Sequence, residues 1–229
     1  MLILFLPAIL YSLAYFGTST IYPWLASHEE RVAAPTLGLL TLGAMLSVLF
    51  ISTGSAILGT ALPFALSIVG LRRGGQSLRA MMSSRSMAKH TVIGTVAGAA
   101  HAVCQVGFVS ALALSVPVRS ADLLGTTTWV LTTPMEEVIF RAYGKLACEH
   151  WGIRGPMAAL VTSCCFSAAH LQPAAFLGPI EAAVIFIPPL TLGLFAYALY
   201  LQTQTLLAPI IAHLVSNAVL DLSRFALAR

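Results

Sequence analysis

The sequence predicts an all-α fold, a polytopic transmembrane helical bundle of about eight spans that forms one integral membrane domain over residues 1–229. Of the 229 residues, 58% are apolar and 9% are charged, whereas soluble domains carry about 25% charged residues. The charges are also segregated, because the stretches 1–28, 32–71, 91–118, 155–180 and 182–220 contain no Asp, Glu, Lys or Arg. This pattern excludes a secreted disulfide scaffold, a disordered chain and a nucleic-acid-binding protein.

A helix crosses the hydrocarbon core in about 20 residues, so the two longest uncharged stretches each accommodate two crossings. The first span is retained rather than cleaved as a signal, because no Lys or Arg precedes its long apolar run. The spans between residues 36 and 71 could also form a single long crossing. The predicted spans are Leu2–Leu25, Thr36–Thr53, Ala56–Leu71, Thr91–Val116, Thr126–Ala147, Met157–Leu177, Ala182–Gln202 and Leu206–Phe225.

The polar loop between Leu71 and Thr91 carries five basic residues and no acidic residue. The positive-inside rule places such a loop in the cytoplasm, where it could also lie on an anionic leaflet of the bilayer. The four cysteines, Cys104, Cys148, Cys164 and Cys165, show no C-x-x-C spacing. We therefore expect them to be small buried apolar residues rather than zinc ligands or disulfides.

The fifth span contains Glu136, Glu137 and Arg141 near its middle. Ionisable groups inside a membrane are costly and are kept where a bundle interior or a water-filled cavity solvates them, so they are candidates for function. Residues four apart share a helix face, which allows Glu137 to pair with Arg141 and leaves Glu136 for chemistry. An alternative is that Thr133 to Glu136 form a capping box with Pro134 at the first helical position.

Two further polar sets occur at mid-depth in other spans. Phe166 and His170 lie four apart in the sixth span, and His213, Asn217 and Asp221 form a stripe at the same spacing in the last span. Packed helices could bring these groups to Glu136. His101 has no charged partner at helical spacing and is interpreted as a hydrogen-bonded packing residue.

Such a set of residues has two chemical uses. A carboxylate and an imidazole can take a proton from water, while a second imidazole and an amide stabilise the negative charge on an attacked carbonyl oxygen, which amounts to amide hydrolysis. Alternatively, Glu136, His170 and His213 could hold zinc with water at an open fourth position. The H-E-x-x-H helix of common zinc proteases is absent from the sequence.

The three motifs resemble those of the CPBP intramembrane proteases, also called the CAAX amino-terminal protease or Abi family, which is related to the type II CAAX prenyl endopeptidases. The family's E-E-x-x-x-R is found in PMEEVIFRAY, its F-x-x-x-H in FSAAH and its H-x-x-x-N in HLVSN. The motifs occur in the family's order, and the resemblance covers about residues 126–221, the predicted protease motif region.

The resemblance implies an intramembrane endopeptidase in which Glu136 and His170 activate water and His213 and Asn217 bind the oxyanion. Glu137 and Arg141 would hold the helix in place, with Phe166 as the aromatic residue of the second motif. Zinc held by Glu136, His170 and His213 stays open beside a metal-free Glu/His mechanism. The implied partners are a peptide or prenylated CAAX protein substrate and the lipid bilayer.

The expected location is a multi-pass protein of a bacterial inner membrane, or of the endoplasmic reticulum if the organism is eukaryotic. Two other functions remain alternatives. The bundle could be a catalytically inactive scaffold or immunity-type protein, or a small ion or proton transporter that uses Glu136, Glu137, His170 and Asp221. Prolines at positions 134, 188 and 189 could break helices as in transporters.

Overall fold

The computed structural model describes residues 56–84, 86–111, 123–150, 152–170 and 179–227. This part of the chain is helical apart from short connections, which confirms the predicted all-α class. The predicted spans Leu2–Leu25 and Thr36–Thr53 lie outside the described residues. The helices are α1 (Ala56–Arg73), α2 (Leu78–Met82), α3 (Met87–Ala111), α4 (Leu123–Glu137), a π-helical segment (Val138–Tyr143), α5 (Gly144–His150), α6 (Gly155–Ala169), α7 (Pro179–Thr203) and α8 (Leu207–Leu227).

Two of these helices contain a segment long and apolar enough to cross a membrane, Met87–Phe108 in α3 and Ile185–Thr203 in α7. Shorter apolar segments occupy α6 and Leu207–Asp221 of α8. The count of eight crossings therefore remains a prediction.

In the described part of the chain, apolar side chains are exposed at the surface and charged side chains are buried in the interior. Val92 and Val103 of α3 are 61% and 67% exposed, whereas Glu137 and Arg141 are fully buried. In water, exposing these apolar side chains would be unfavourable. In a bilayer they contact lipid, while the charges stay enclosed by protein. The arrangement fits a helical membrane protein.

Small residues allow α3 and α8 to pack closely. A Cβ atom on Gly98 would overlap the carbonyl oxygen of Ala212, and one on Gly94 would lie 2.6 Å from that of Ala208. Both pairs are spaced by four residues, the small-xxx-small pattern by which membrane helices approach each other. This contact fixes one face of α8 against α3.

Helix α4 continues through the π-helical segment into α5, so the fifth predicted span is one helical rod with a wider turn at its centre. Pro134 lies inside α4 rather than at its start, and the capping-box alternative is therefore wrong. Pro188 and Pro189 likewise lie inside an unbroken α7. These prolines therefore do not break the helices, as the transporter alternative expected. Pi-helical turns are rare and often occur at functional sites.

The polar loop contains α2 and is attached to the rest of the fold. The carbonyl oxygen of Met81 accepts hydrogen bonds from the backbone N–H of Leu206 and the hydroxyl of Thr205, each at 2.9 Å. The loop is therefore held against the connection between α7 and α8.

All four cysteines are free thiols, but they are not uniformly buried. Cys148 is buried as expected, Cys164 and Cys165 are partly exposed, and Cys104 is exposed. The expectation of burial is therefore wrong for Cys104, which lies on α3 near the apolar surface and can face lipid there at no cost for a small apolar side chain.

Candidate active site

The three sequence motifs meet around the ring of Phe166, which is fully buried on α6. The imidazole rings of His170 and His213 lie edge-on to it, with centroids 4.6 and 5.5 Å away. The guanidinium carbon of Arg141 lies 4.8 Å from the centre of the same ring. Phe166 thus contacts one residue from each of the three motifs and fixes their relative positions by packing and by a cation–π contact.

Glu137 bridges the first and third motifs. One carboxylate oxygen, Oε2, lies 3.1 Å from Nε of Arg141, and the other, Oε1, lies 2.8 Å from Nδ1 of His213. The structure thus contains the Glu137–Arg141 pair that helical spacing indicated, and adds a histidine to it. The sequence offered no spacing rule for that second contact, because 76 positions separate the two residues.

Arg141 is a buried cation with incomplete hydrogen bonding. Its Nη1 and Nη2 atoms have no hydrogen-bond partner among the described residues, and its approach to Glu137 lacks hydrogen-bond angles although the distance is that of an ion pair. Among the described residues, the Glu137 carboxylate and the face of Phe166 are therefore the main groups that offset the cost of burying this charge. Removing either would leave a charge in an apolar interior.

Glu136 lies one residue before this bridge and faces the histidines. Its Oε2 atom is 3.9 Å from Nε2 of His213, and 8% of the residue is exposed, compared with none of Glu137. His170 is also close enough to interact electrostatically with Glu136 and His213. The two glutamates thus occupy different environments, one enclosed in ion pairs and one at the edge of the site.

His170 caps the C-terminus of α6, and the cap determines its tautomer. Its Nδ1 atom lies 2.8 Å from the carbonyl oxygen of Phe166. A carbonyl oxygen can only accept, so Nδ1 carries the proton and Nε2 of the neutral ring carries a lone pair. His170 is partly exposed.

Three side-chain pairs connect α4 and α8 like the rungs of a ladder. Trp129 donates to Asp221 at 2.8 Å, and the amide of Asn217 donates to the hydroxyl of Thr133 at 3.4 Å. The third rung is the bond from His213 to Glu137. Sequence reasoning missed Trp129 and Thr133, although their spacing of four residues, continued by Glu137, mirrors the polar stripe of α8 and could have indicated the pairing.

A second polar cluster lies on the side of α8 that faces α3 and α7. His101 is buried, with Nδ1 at 3.0 Å from the hydroxyl of Ser216 and Nε2 at 3.1 Å from that of Thr191. His101 is thus a hydrogen-bonded interior residue that joins α3, α7 and α8. Ser216 and Thr191 were not singled out by the sequence motifs.

The donor set does not form a metal site in this conformation. Within the described ranges, no group of three His, Cys, Asp or Glu side chains is arranged to hold a metal ion, and Glu136, His170 and His213 all fall in those ranges. Nδ1 of His213 is bonded to Glu137, so Nε2 is the ring nitrogen that faces Glu136.

Comparisons with known proteins agree with the motifs. The family model described as "Type II CAAX prenyl endopeptidase Rce1-like" matches residues 119–219, the segment that contains all three motifs. No curated protein and no solved structure matches the chain significantly. The predicted resemblance to CPBP proteases is confirmed, and residues 119–219, which carry the motifs, are similar to the type II CAAX prenyl endopeptidases.

Proposed function

We propose that the protein is an intramembrane endopeptidase that hydrolyses a peptide bond at or within the membrane. The observation that carries the proposal is the meeting of side chains from three helices: His170 and His213 both lie edge-on to the buried ring of Phe166, and Glu136 lies 3.9 Å from His213. The family match supports protease chemistry for the same segment. The whole chain, residues 1–229, would form one multi-pass membrane domain.

Water activation falls to Glu136 and His170. The carboxylate of Glu136 is at the edge of the site, and the lone pair on Nε2 of His170 is the second proton acceptor. A water molecule between them would lose a proton as its oxygen attacks the carbonyl carbon of the substrate. Positioned bases of this kind contribute about 10²- to 10⁴-fold in rate.

His213 and Asn217 would stabilise the oxyanion that forms. Nδ1 of His213 donates to Glu137, so the ring can present a donor from Nε2 only when it carries a second proton. Asn217 has a second amide N–H besides the one that reaches Thr133. Both donors would act in a dry site, where such bonds count most.

Collapse of the tetrahedral intermediate completes the reaction. The proton taken from water returns to the leaving amine nitrogen from Glu136 or His170, and the carbon–nitrogen bond breaks to give an acid and an amine. Glu137 and Arg141 act as positioning residues, since they hold His213 and the π-helical segment without facing the substrate.

The family description points to prenylated CAAX proteins as the substrate class. Removal of the last three residues of such a protein requires a site that a lipid-modified C-terminus can reach from the bilayer. The apolar exterior of the described helices is compatible with a prenyl chain that remains in hydrocarbon while the peptide enters.

The scaffold and transporter alternatives receive less support. A scaffold does not require a partly exposed carboxylate, such as that of Glu136, beside two histidines. The unbroken helix α7 removes one argument for a transporter. The scaffold predicts that a Glu136 variant keeps its biological effect. The transporter predicts carboxylate-dependent ion flux in liposomes.

The direct test is cleavage of a fluorogenic farnesylated CAAX peptide by the purified protein in detergent. We expect Glu136→Gln to lose at least about 100-fold in kcat/KM because its amide cannot accept the water proton. Glu149→Gln is the matched control, since that carboxylate pairs with Lys145 at the surface. Equal activity of wild type and Glu136→Gln would contradict the proposed mechanism.

Two further experiments test the mechanism and the substrate class separately. A zinc chelator should leave the rate unchanged if the Glu/His mechanism holds, and a loss that added zinc restores would establish the metal route instead. If no CAAX peptide is cleaved, an unbiased membrane-peptide library would show whether the endopeptidase acts on another substrate. Failure of both substrates would favour the scaffold.

A further inference from the structure

A cavity of about 380 Å³ lies between α3 and α7, away from the glutamates. Its wall is mostly apolar and includes Ala100, Ile187 and Phe195, while His101, Gln105 and Thr191 supply a polar patch. The volume is within the range of small-molecule sites, and the composition, apolar with a few polar groups, is typical of them. The proposed peptidase mechanism uses none of these residues.

Hydrogen bonds inside the protein fix the polar patch. The hydroxyl of Thr191 donates to the carbonyl oxygen of Pro188 and therefore accepts from Nε2–H of His101. Nδ1 of His101 then accepts from the hydroxyl of Ser216. Both ring nitrogens of His101 are thus occupied, and the ring presents a neutral surface to the cavity.

The carboxamide of Gln105 can make a hydrogen bond that no described residue provides. The residue is only 8% exposed, and its amide nitrogen lies 3.3 Å from Nε2 of His101. Whichever way the carboxamide is turned, one of its two polar atoms has no partner among the described residues. A polar atom that lines a cavity and lacks a partner is costly unless a ligand or water satisfies it.

The surroundings restrict the ligand. Helices α3 and α7 both contain described segments long and apolar enough to cross a membrane, so lipids are among the molecules that can reach the cavity. No Asp, Glu, Lys or Arg is among the described residues that line it, so none of them offers a counter-charge to a charged headgroup. A neutral headgroup able to donate and accept matches the carboxamide.

We propose that this cavity binds a neutral single-chain lipid of the bilayer, with its alkyl chain along the apolar wall and its hydroxyl or carbonyl headgroup bonded to Gln105. The site is distinct from the peptidase site, although Ser216 on α8 links His101 to the helix that carries His213. The proposal concerns binding alone and does not depend on the proposed peptidase function.

Cys104 provides the readout, because it lines the cavity and is exposed. In the full chain with Cys148, Cys164 and Cys165 replaced by Ser, the rate of Cys104 alkylation by N-ethylmaleimide is measured in detergent. The probes are 1-decanol, decane and decanoate at equal mole fraction in the micelle. We expect decanol to slow labelling at least about fivefold, as occupancy excludes the reagent. Decane and decanoate should have little effect.

A second single-cysteine protein controls for general effects on the micelle. With only Cys164 retained, on the other helix α6, decanol should leave the labelling rate unchanged. No protection of Cys104 by decanol, or equal protection by decane, would overturn the proposal. Stronger protection by decanoate would also overturn it, because the site would then select an anion.

The headgroup contact is tested by Gln105→Leu, which keeps a similar volume and removes the amide. We expect the decanol concentration for half-protection to rise about five- to tenfold, the loss of one hydrogen bond. An unchanged concentration would refute the role of Gln105. If that variant does not fold, Gln105→Met, which also removes the amide and keeps an unbranched side chain, is measured instead, and the same shift is expected.

Discussion

The two faces of α8 stabilise the same helix by different means. One face carries His213, which pairs with a carboxylate held against a buried guanidinium. The other face carries Ser216, which bonds to the neutral ring of His101. Both faces are buried, yet only one contains ionised groups.

The difference shows where the fold accepts an energetic cost. Buried ion pairs are weak contributors to stability, because desolvation cancels much of their attraction, whereas satisfied neutral hydrogen bonds carry little such cost. A charged cluster in an apolar interior is therefore better explained by chemistry than by stability. The hydrogen bonds and close packing on the neutral face stabilise the position of α8 and offset the cost of burying the charged groups on the other face.

The largest expected effect follows from removing the buried charge of Glu137. Glu137→Gln leaves the Arg141 guanidinium without its carboxylate and should destabilise the protein by about 3 to 5 kcal/mol. The matched control is Glu149→Gln, which breaks the exposed pair with Lys145 at the same i, i+4 spacing and should cost at most about 1 kcal/mol. Thermal unfolding followed by helical circular dichroism in detergent measures both. Equal losses would contradict the contrast between the faces.

The neutral face depends on close helix approach. Gly98→Ala places a Cβ in overlap with the backbone oxygen of Ala212, which cannot rotate away, so α3 and α8 must separate at a cost of about 3 kcal/mol. Gly107→Ala, on the same helix with nothing within 4 Å of the new Cβ, is the control. It should be neutral or slightly stabilising. Similar unfolding temperatures for the two variants would refute the packing argument.

The outermost rung of the α4–α8 ladder should have an intermediate effect. Trp129→Phe keeps an aromatic ring and removes the N–H that donates to Asp221, so the expected loss is about 2 kcal/mol, as for other hydrogen bonds to charged groups. The double variant with Asp221→Asn tests the pairing. If the two losses simply add, the residues do not interact in the folded protein.

The smallest effect should come from the neutral hydrogen bond to His101. In a double-mutant cycle of His101→Leu and Ser216→Ala, the coupling free energy should be about 1 kcal/mol, the usual contribution of a neutral pair. Urea unfolding in mild detergent supplies the four stabilities. A coupling above that of Trp129 and Asp221 would reverse the ranking of the two faces.

The sequence predicted much of the charged face and little of the neutral one. Uncharged stretches fixed the all-helical class, and the spacing of four residues indicated that Glu137 pairs with Arg141. The contact of Glu137 with His213 could not be predicted in the same way, since no local rule connects residues on different helices. The roles assigned within the motifs come from the family resemblance.

The neutral face escaped prediction because its residues look ordinary in a membrane helix. Ser216 and Thr191 are common small polar residues there, and their role arises only from how α3 packs on α7 and α8. The Gly94 and Gly98 pair was a usable signal, since small residues four apart mark close helix contacts. Helix periodicity alone does not identify the partner helix.

The most direct measurement compares cleavage of the farnesylated peptide by three variants of α8: His213→Ala, Asn217→Ala and Ser216→Ala. The account predicts that the first two lose about 10²- to 10³-fold in kcat, the usual effect of removing an oxyanion donor. Ser216→Ala, which lies between them in sequence but faces His101, should keep its kcat per folded molecule. A loss for Ser216→Ala as large as that for His213→Ala would contradict the division of α8 into a catalytic face and a structural face.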